Sequence, residues 1–405
     1  MPDSQYTPAY GLRAQRQAPA MDVDALIDDP ATRVIICCGS GGVGKTTTAA
    51  ALGLRAAERG RRVVVLTIDP ARRLAQAMGL AELDNTPREV EGVGTEAGGQ
   101  LDAMMLDMKR TFDEVISTHA SPEKAAVILA NPFYQALSSS FAGTQEYMAM
   151  EKLGQLRERA DVDGRWDLII VDTPPSRSAL DFLDAPTRLG NFLDGRFIRI
   201  LSAPVRMGGR AYLKVFSAAM GQVTGALSKV LGGQLLTDVQ TFVAALDTIF
   251  GGFRERADRT YRLLQARGTA FVVVAAPEPD AVREASYFVE RLAAERMPLA
   301  GLILNRVHRP VVSDLSAERA LVAAEELEAQ GVHPATSGVL RVHADEVLRQ
   351  RREIGLAQRF TAAHPGVPMV SVPAHAADVH DLEGLRMIGE DLGEPKVPSS
   401  EAAGV

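Results

Sequence analysis

Gly39, Gly44, Lys45 and Thr46 stand in the pattern Gly-x-x-x-x-Gly-Lys-Thr, inside the run VIICCGSGGVGKTTTAAALGLRAAERG. That spacing suits the chemistry of phosphate. Gly39, Gly41, Gly42 and Gly44 allow the backbone of the loop, with Ser40 and Val43 between them, to turn N–H groups into one concavity close to phosphate oxygens. A helix opening at the end of the loop adds its positive end. In such a site Lys45 reaches the β- and γ-phosphates of a nucleotide, the Thr46 hydroxyl ligates Mg²⁺, and Thr47 completes the nucleotide-binding set. A glycine turn that caps a helix beside a chance lysine gives the same letters, so the context has to decide.

Two acidic strand ends supply that context. WDLIIVDTPPS places Asp172 where an apolar run ends, the position for a carboxylate that holds Mg²⁺ through water. VVVLTIDPARRLA places Asp69 at the end of another such run. Taken singly, either aspartate also suits a helix cap or an Asp-Pro turn. Together, beside a phosphate loop, they point to one crevice, because the carboxyl ends of neighbouring parallel strands converge.

The elements that must position these residues are legible as short Val/Ile-rich runs alternating with longer helical patterns. The runs are Val34–Cys38, Val63–Ile68, Ala103–Leu106, Leu168–Val171, Phe271–Val274, Gly301–Leu304 and Met369–Val372. Most lack charge entirely, as expected of strands covered on both faces. The expected fold is therefore α/β: a doubly wound, mostly parallel sheet. Between residues 183 and 267 no such run occurs, and this stretch reads as a helical subdomain inserted into the scaffold. Residues 1–30 read as a disordered arm without the apolar centre of a signal peptide, residues 31–392 as one domain, and residues 393–405 as a flexible tail.

Composition narrows the function. The chain has 405 residues, 44 Lys plus Arg against 51 Asp plus Glu, and a net charge of −7, which offers no basic footprint for nucleic acid. Its two cysteines, Cys37 and Cys38, cannot make a disulfide framework or a four-ligand zinc site, so a cytoplasmic chain without structural zinc is expected. Adjacent on one strand, they point to opposite faces as small buried hydrophobes. The uncharged stretch 125–145 is interrupted by Asn131-Pro132, Gln135 and three serines, which argues against a membrane span. The seven histidines show no metalloprotease spacing.

GSGGVGKTT, the DPA after the second strand and the DTPP that begins at Asp172 together resemble the deviant Walker A ATPases of the arsenite-pump and tail-anchored-protein-targeting family, over roughly residues 33–392. The resemblance implies a P-loop ATPase with ATP and Mg²⁺ as ligands, Asp69 as the switch I aspartate that positions the attacking water, and Asp172 as the start of switch II. It also implies that Asn305, in LILNRV, contacts adenine and that Glu278, 27 positions earlier in APEPD, makes a nucleotide-side contact. Pro373 matches the late proline of the family. Asn305-Arg306-Val307-His308 is not the Asn-Lys-x-Asp guanine reader, so ATP is expected over GTP.

Departures from the family pattern matter as well. Members commonly carry a lysine after the first loop glycine, reaching the partner subunit's nucleotide; here that residue is Ser40. The usual Gly-His after the switch is replaced by Arg177-Ser178, and Arg177 is a candidate substitute cation. The spaced cysteines of arsenite pumps and the CxxC of targeting ATPases are missing. The resemblance implies a homodimer, or a heterodimer with a related subunit. Downstream it leaves three roles: a carrier of a hydrophobic protein client, an energiser of an anion-transport or membrane partner, and a regulatory subunit that binds ATP but hydrolyses it poorly. Met207, Phe216, Met220, Leu227, Leu231 and Leu235 could line a client groove or simply form core.

Overall fold

The computed structural model describes residues 18–69, 73–94, 96–132, 134–135, 144–174, 255–312 and 314–394. Each of the seven apolar runs forms a strand: β1 (Val34–Cys38), β2 (Arg62–Thr67), β4 (Gln100–Met105), β5 (Leu168–Asp172), β6 (Thr269–Ala275), β7 (Leu299–Val307) and β8 (Met369–Pro373). A short further strand, β3 (Arg88–Glu89), has no apolar signature because both its residues are exposed. All join one sheet in the order β3-β4-β2-β5-β1-β6-β7-β8, parallel throughout except for the β3–β4 pair.

Both faces are covered, which is why the strand sequences are continuous apolar runs and not alternating ones. On one face Ile35, Cys37, Val63 and Val65 pack against α1 (Val23–Asp28), α2 (Lys45–Glu58), α3 (Arg73–Ala77) and α10 (Leu382–Gly393). On the other, Val34, Ile36, Cys38 and Leu66 meet α4 (Met108–His119), α6 (Thr144–Asp163), α7 (Pro279–Ala294) and the end of α9 (Pro334–Ala363). Helix α5 (Pro122–Leu129) packs against α4, and α8 (Ala317–Ala329) pairs with α9. Helix α2 comes close to the sheet because its inner side is alanine and glycine; a Cβ at Gly53 would lie 2.6 Å from Val65 Cγ2.

Residues 18–30 correct the expectation of a disordered arm. Met21 and Pro19 exchange backbone hydrogen bonds with Met369, extending the edge of β8. Asp22 caps α1 by accepting from the Ala25 N–H at 2.9 Å, and Val23 and Ile27 are buried. The Arg61 guanidinium reaches over to donate to the carbonyls of Ile27, Asp29 and Thr32 at 2.6–3.0 Å. A six-residue helix with two apolar anchors is too short to produce a periodic signal, so composition alone misses it.

The proposed insertion lies outside the described residues from 175 to 254, and with it the stripe from Met207 to Leu235. Residues 255–265 are helical, and Arg256 Nε donates to Glu151 of α6 at 2.9 Å. No helix among the described residues is long and apolar enough to cross a membrane.

Candidate functional site

Strand β1 lies between β5 and β6, where the winding of the sheet changes direction, so the loops leaving β1, β2, β5, β6 and β7 meet at one edge. The loop from Gly39 to Gly44 joins β1 to α2. Its end glycines are obligatory: a Cβ at Gly39 (φ 152°) would lie 2.1 Å from the Val274 carbonyl oxygen, and one at Gly44 (φ 95°) would lie 2.3 Å from Asn305 Nδ2. Gly41 and Gly42 are exposed, Val43 is buried, and Ser40, Thr46 and Thr47 are half-buried. Gly44 caps α2 without a capping side chain, which leaves the first-turn N–H groups of Lys45, Thr46 and Thr47 to an incoming anion.

Lys45 is buried, and its Nζ donates to the Ser40 carbonyl at 2.7 Å. Burial pulls its pKa below the usual lysine value, while the carboxylates of Asp172 and Asp69 act in the opposite direction. A phosphate at the loop would favour the charged form further.

Asp172 ends β5 in register with Cys37 of β1 and Thr67 of β2. Its Oδ2 accepts from Thr46 Oγ1 at 2.7 Å and Thr67 Oγ1 at 2.9 Å, whereas its buried Oδ1 has no hydrogen-bond partner. Burial raises the carboxyl pKa to about 6, against the two hydroxyls and Lys45, which lower it. A threonine hydroxyl beside a buried carboxylate with one unclaimed oxygen is a donor set that suits Mg²⁺ and its water shell, so the residues fit that ion.

Asp69 follows β2 and is half-buried. Its N–H donates to Thr67 Oγ1 at 3.2 Å, and the Thr67 hydroxyl donates onward to Asp172. One hydroxyl thus ties the two acidic loops together. Thr173 ties the end of β5 to β1, donating from Oγ1 to the Cys37 carbonyl at 2.8 Å. Sequence reasoning passes over Thr67 and Thr173; the available signal is a hydroxyl at each strand exit, in VVVLT and in IIVDT.

Asn305 and Arg306, at the end of β7, also touch the loop, with Asn305 Nδ2 donating to the Val43 carbonyl at 2.8 Å and Arg306 Nη1 to that of Gly42 at 3.0 Å. Glu278 is exposed at the N-cap of α7, just beyond β6. Pro373 ends β8 opposite Val307. The structure therefore brings Gly39–Thr47, Asp69, Asp172 and Asn305 into one cluster and leaves Glu278 and Pro373 on neighbouring strand ends. Arg177 and Ser178 lie outside the described residues. Cys37 and Cys38 are buried on opposite faces; burial, with nearby Asp172, holds the Cys37 thiol well above its usual pKa, and burial raises that of Cys38 to about 12.

A mostly parallel sheet with a glycine-rich loop leading from its central strand into a helix is the architecture of P-loop nucleotide hydrolases. A sequence model of the anion-transporting ATPase family matches residues 32–330, so the chain belongs to that family and is an ATPase. It is similar to the ATPase ARSA2 of Chlamydomonas reinhardtii, with 26% identity over 385 residues, 92% of this chain and 88% of that protein. It is also similar to the ATPase GET3 of Podospora anserina, with 25% identity over 302 residues, 74% of this chain and 80% of that one. The ATPase GET3 of Ajellomyces dermatitidis gives 24% over 288 residues, 70% and 76% of the two chains.

Proposed function

We propose that this ATPase couples Mg²⁺-dependent hydrolysis of ATP at the β1 loop to movement of the segments that follow Asp69 and Asp172. The observation that carries the reading is Asp172, buried between Thr46 and Thr67 with Oδ1 unclaimed, within the electrostatic reach of Lys45 and Asp69. Lys45 would exchange the Ser40 carbonyl for β- and γ-phosphate oxygens, and the loop N–H groups would hold the same phosphates. Thr46 directly, and Asp172 through water, would hold Mg²⁺, which when bound neutralises charge on the transferring phosphoryl group. Asp69 would orient the water whose oxygen attacks the γ-phosphorus, releasing ADP and phosphate. Glu278 and Pro373 are the groups assigned to the nucleoside side.

Because Thr67 joins the backbone of Asp69 to the carboxylate of Asp172, loss of the γ-phosphate at either residue would be felt at the other. That movement would serve a cytoplasmic dimer, of identical or related subunits, that handles a hydrophobic client or energises an anion-transport or membrane-targeting partner. Ser40 supports a second reading. Without a loop lysine the chain suits the role of a weakly hydrolysing, ATP-binding regulatory subunit.

Steady-state turnover and nucleotide binding test the reading. Lys45→Ala should abolish binding or hydrolysis, and Asp69→Asn should keep ATP and Mg²⁺ yet lose turnover by about 10²-fold or more. Undiminished ATPase activity in Lys45→Ala would overturn the phosphate-loop assignment; near-normal turnover in Asp69→Asn would leave that residue as a cap.

A further inference from the structure

The end of β7 departs from regular strand geometry where it meets the phosphate loop. Leu304 pairs with Ser371 and Val307 with Pro373, so β7 advances three residues while β8 advances two. The extra residue is a bulge, and Arg306 sits in it at φ 62°, a left-handed conformation that side chains other than glycine's seldom adopt. In a regular strand successive side chains point to opposite faces. Here Asn305 and Arg306 both turn to the same neighbour and donate to successive carbonyls, of Val43 and Gly42. The strand end is held from behind as well. His308 donates its N–H to Glu353 Oε2 at 2.8 Å and places its ring Nδ1 2.6 Å from Oε1, and Glu353 is buried on α9.

In a trans peptide the C=O and the following N–H point in opposite directions. Carbonyls of Gly42 and Val43 drawn toward β7 therefore turn the N–H groups of Val43 and Gly44 away from it. We propose that Asn305 and Arg306 are positioning residues that hold the phosphate loop in its anion-binding shape before any nucleotide arrives. This rests on the nucleotide reading above. It gives Asn305 a task indifferent to the base, and it explains the strain at Arg306: the bulge is what brings two adjacent side chains to one loop. It also explains Gly44, since any Cβ there would displace the Asn305 amide.

The test is calorimetric titration of wild type, Asn305→Ala, Arg306→Ala and Arg306→Gly with ATP, ITP and inorganic tripolyphosphate. Asn305→Ala should weaken all three ligands by a similar factor, about five- to tenfold on the scale of a lost hydrogen bond. Arg306→Ala should weaken all three several-fold. Arg306→Gly, which relieves the backbone strain but removes the guanidinium, should resemble Arg306→Ala, and its exposed site keeps folding out of the result. Weakening of ATP alone in Asn305→Ala, with ITP and tripolyphosphate unchanged, would make Asn305 a base contact and overturn the splint. Unchanged affinities in both Arg306 variants would overturn it too. Lys45→Ala separates the two levels: if it binds tripolyphosphate as wild type does, the nucleotide reading itself falls.

Discussion

The Asp172 carboxyl is fully buried with one oxygen held by two hydroxyls and the other by none, so the ligand-free protein resists ionising it. Its pKa lies near 6 in the folded chain against an ordinary 3.8. A carboxyl raised in this way contributes fully to stability below the ordinary value and loses that contribution as pH rises through about 6. At pH 7 the difference amounts to roughly 3 kcal/mol of stability given up for the charge. Asp172→Asn should therefore melt higher than wild type at pH 7 in the absence of nucleotide, by a few degrees, with the gap narrowing at pH 4–5. The same variant should lose the extra stabilisation that Mg²⁺ and ATP give to wild type. Thermal melts at two pH values, with and without ligand, check both halves. The sequence placed Asp172 and Lys45 because a strand-end acid and a glycine-rich loop each leave a local pattern. It could not reveal that Thr67 links Asp172 to Asp69, because that bond spans 105 positions.

The seven main strands were readable because burial on both faces keeps most of their positions apolar, although β4 carries the buried Asp102. Three elements escaped, each for its own reason. β3 is two exposed charged residues, α1 is six residues long, and the β7 bulge is one extra residue that changes pairing without changing composition. Helix α1 nevertheless contributes to the core, for Ile27 is fully buried in the cluster formed by α2 and α10. Ile27→Ala should destabilise the protein by about 2–5 kcal/mol, the usual range for emptying a buried aliphatic site. Chemical denaturation measures it, and a change within error would mean that residues 18–30 rest on the surface of the fold instead of belonging to it. Removing the segment should do more harm than Ile27→Ala, since the Arg61 guanidinium would also lose two carbonyl acceptors, those of Ile27 and Asp29.

For the proposed dimer the informative residue is Ser40, whose carbonyl engages Lys45 and whose side chain would carry no charge to a second subunit. A cation supplied in trans is typically worth 10³–10⁵ in rate, so a homodimer lacking one should turn over slowly. Ser40→Lys should raise turnover if the missing charge is the deficit, and Arg177→Ala should be the more damaging change if Arg177 replaces it. Brisk hydrolysis by wild type that survives Arg177→Ala would make Ser40 a neutral difference. The order of the strands bears on how the protein is made. Val34 of β1 finds its sheet partners at Ile169 and Thr269, 135 and 235 positions downstream by subtraction. At about 5–20 residues per second the first of these leaves the ribosome roughly 7–27 seconds after β1. During that interval VIICC has neither neighbour. The loop that follows it gains Asp172 at its side only after β5 emerges and gains Asn305 and Arg306 only after β7. A nascent chain thus completes the proposed nucleotide pocket only once β7 has been synthesised.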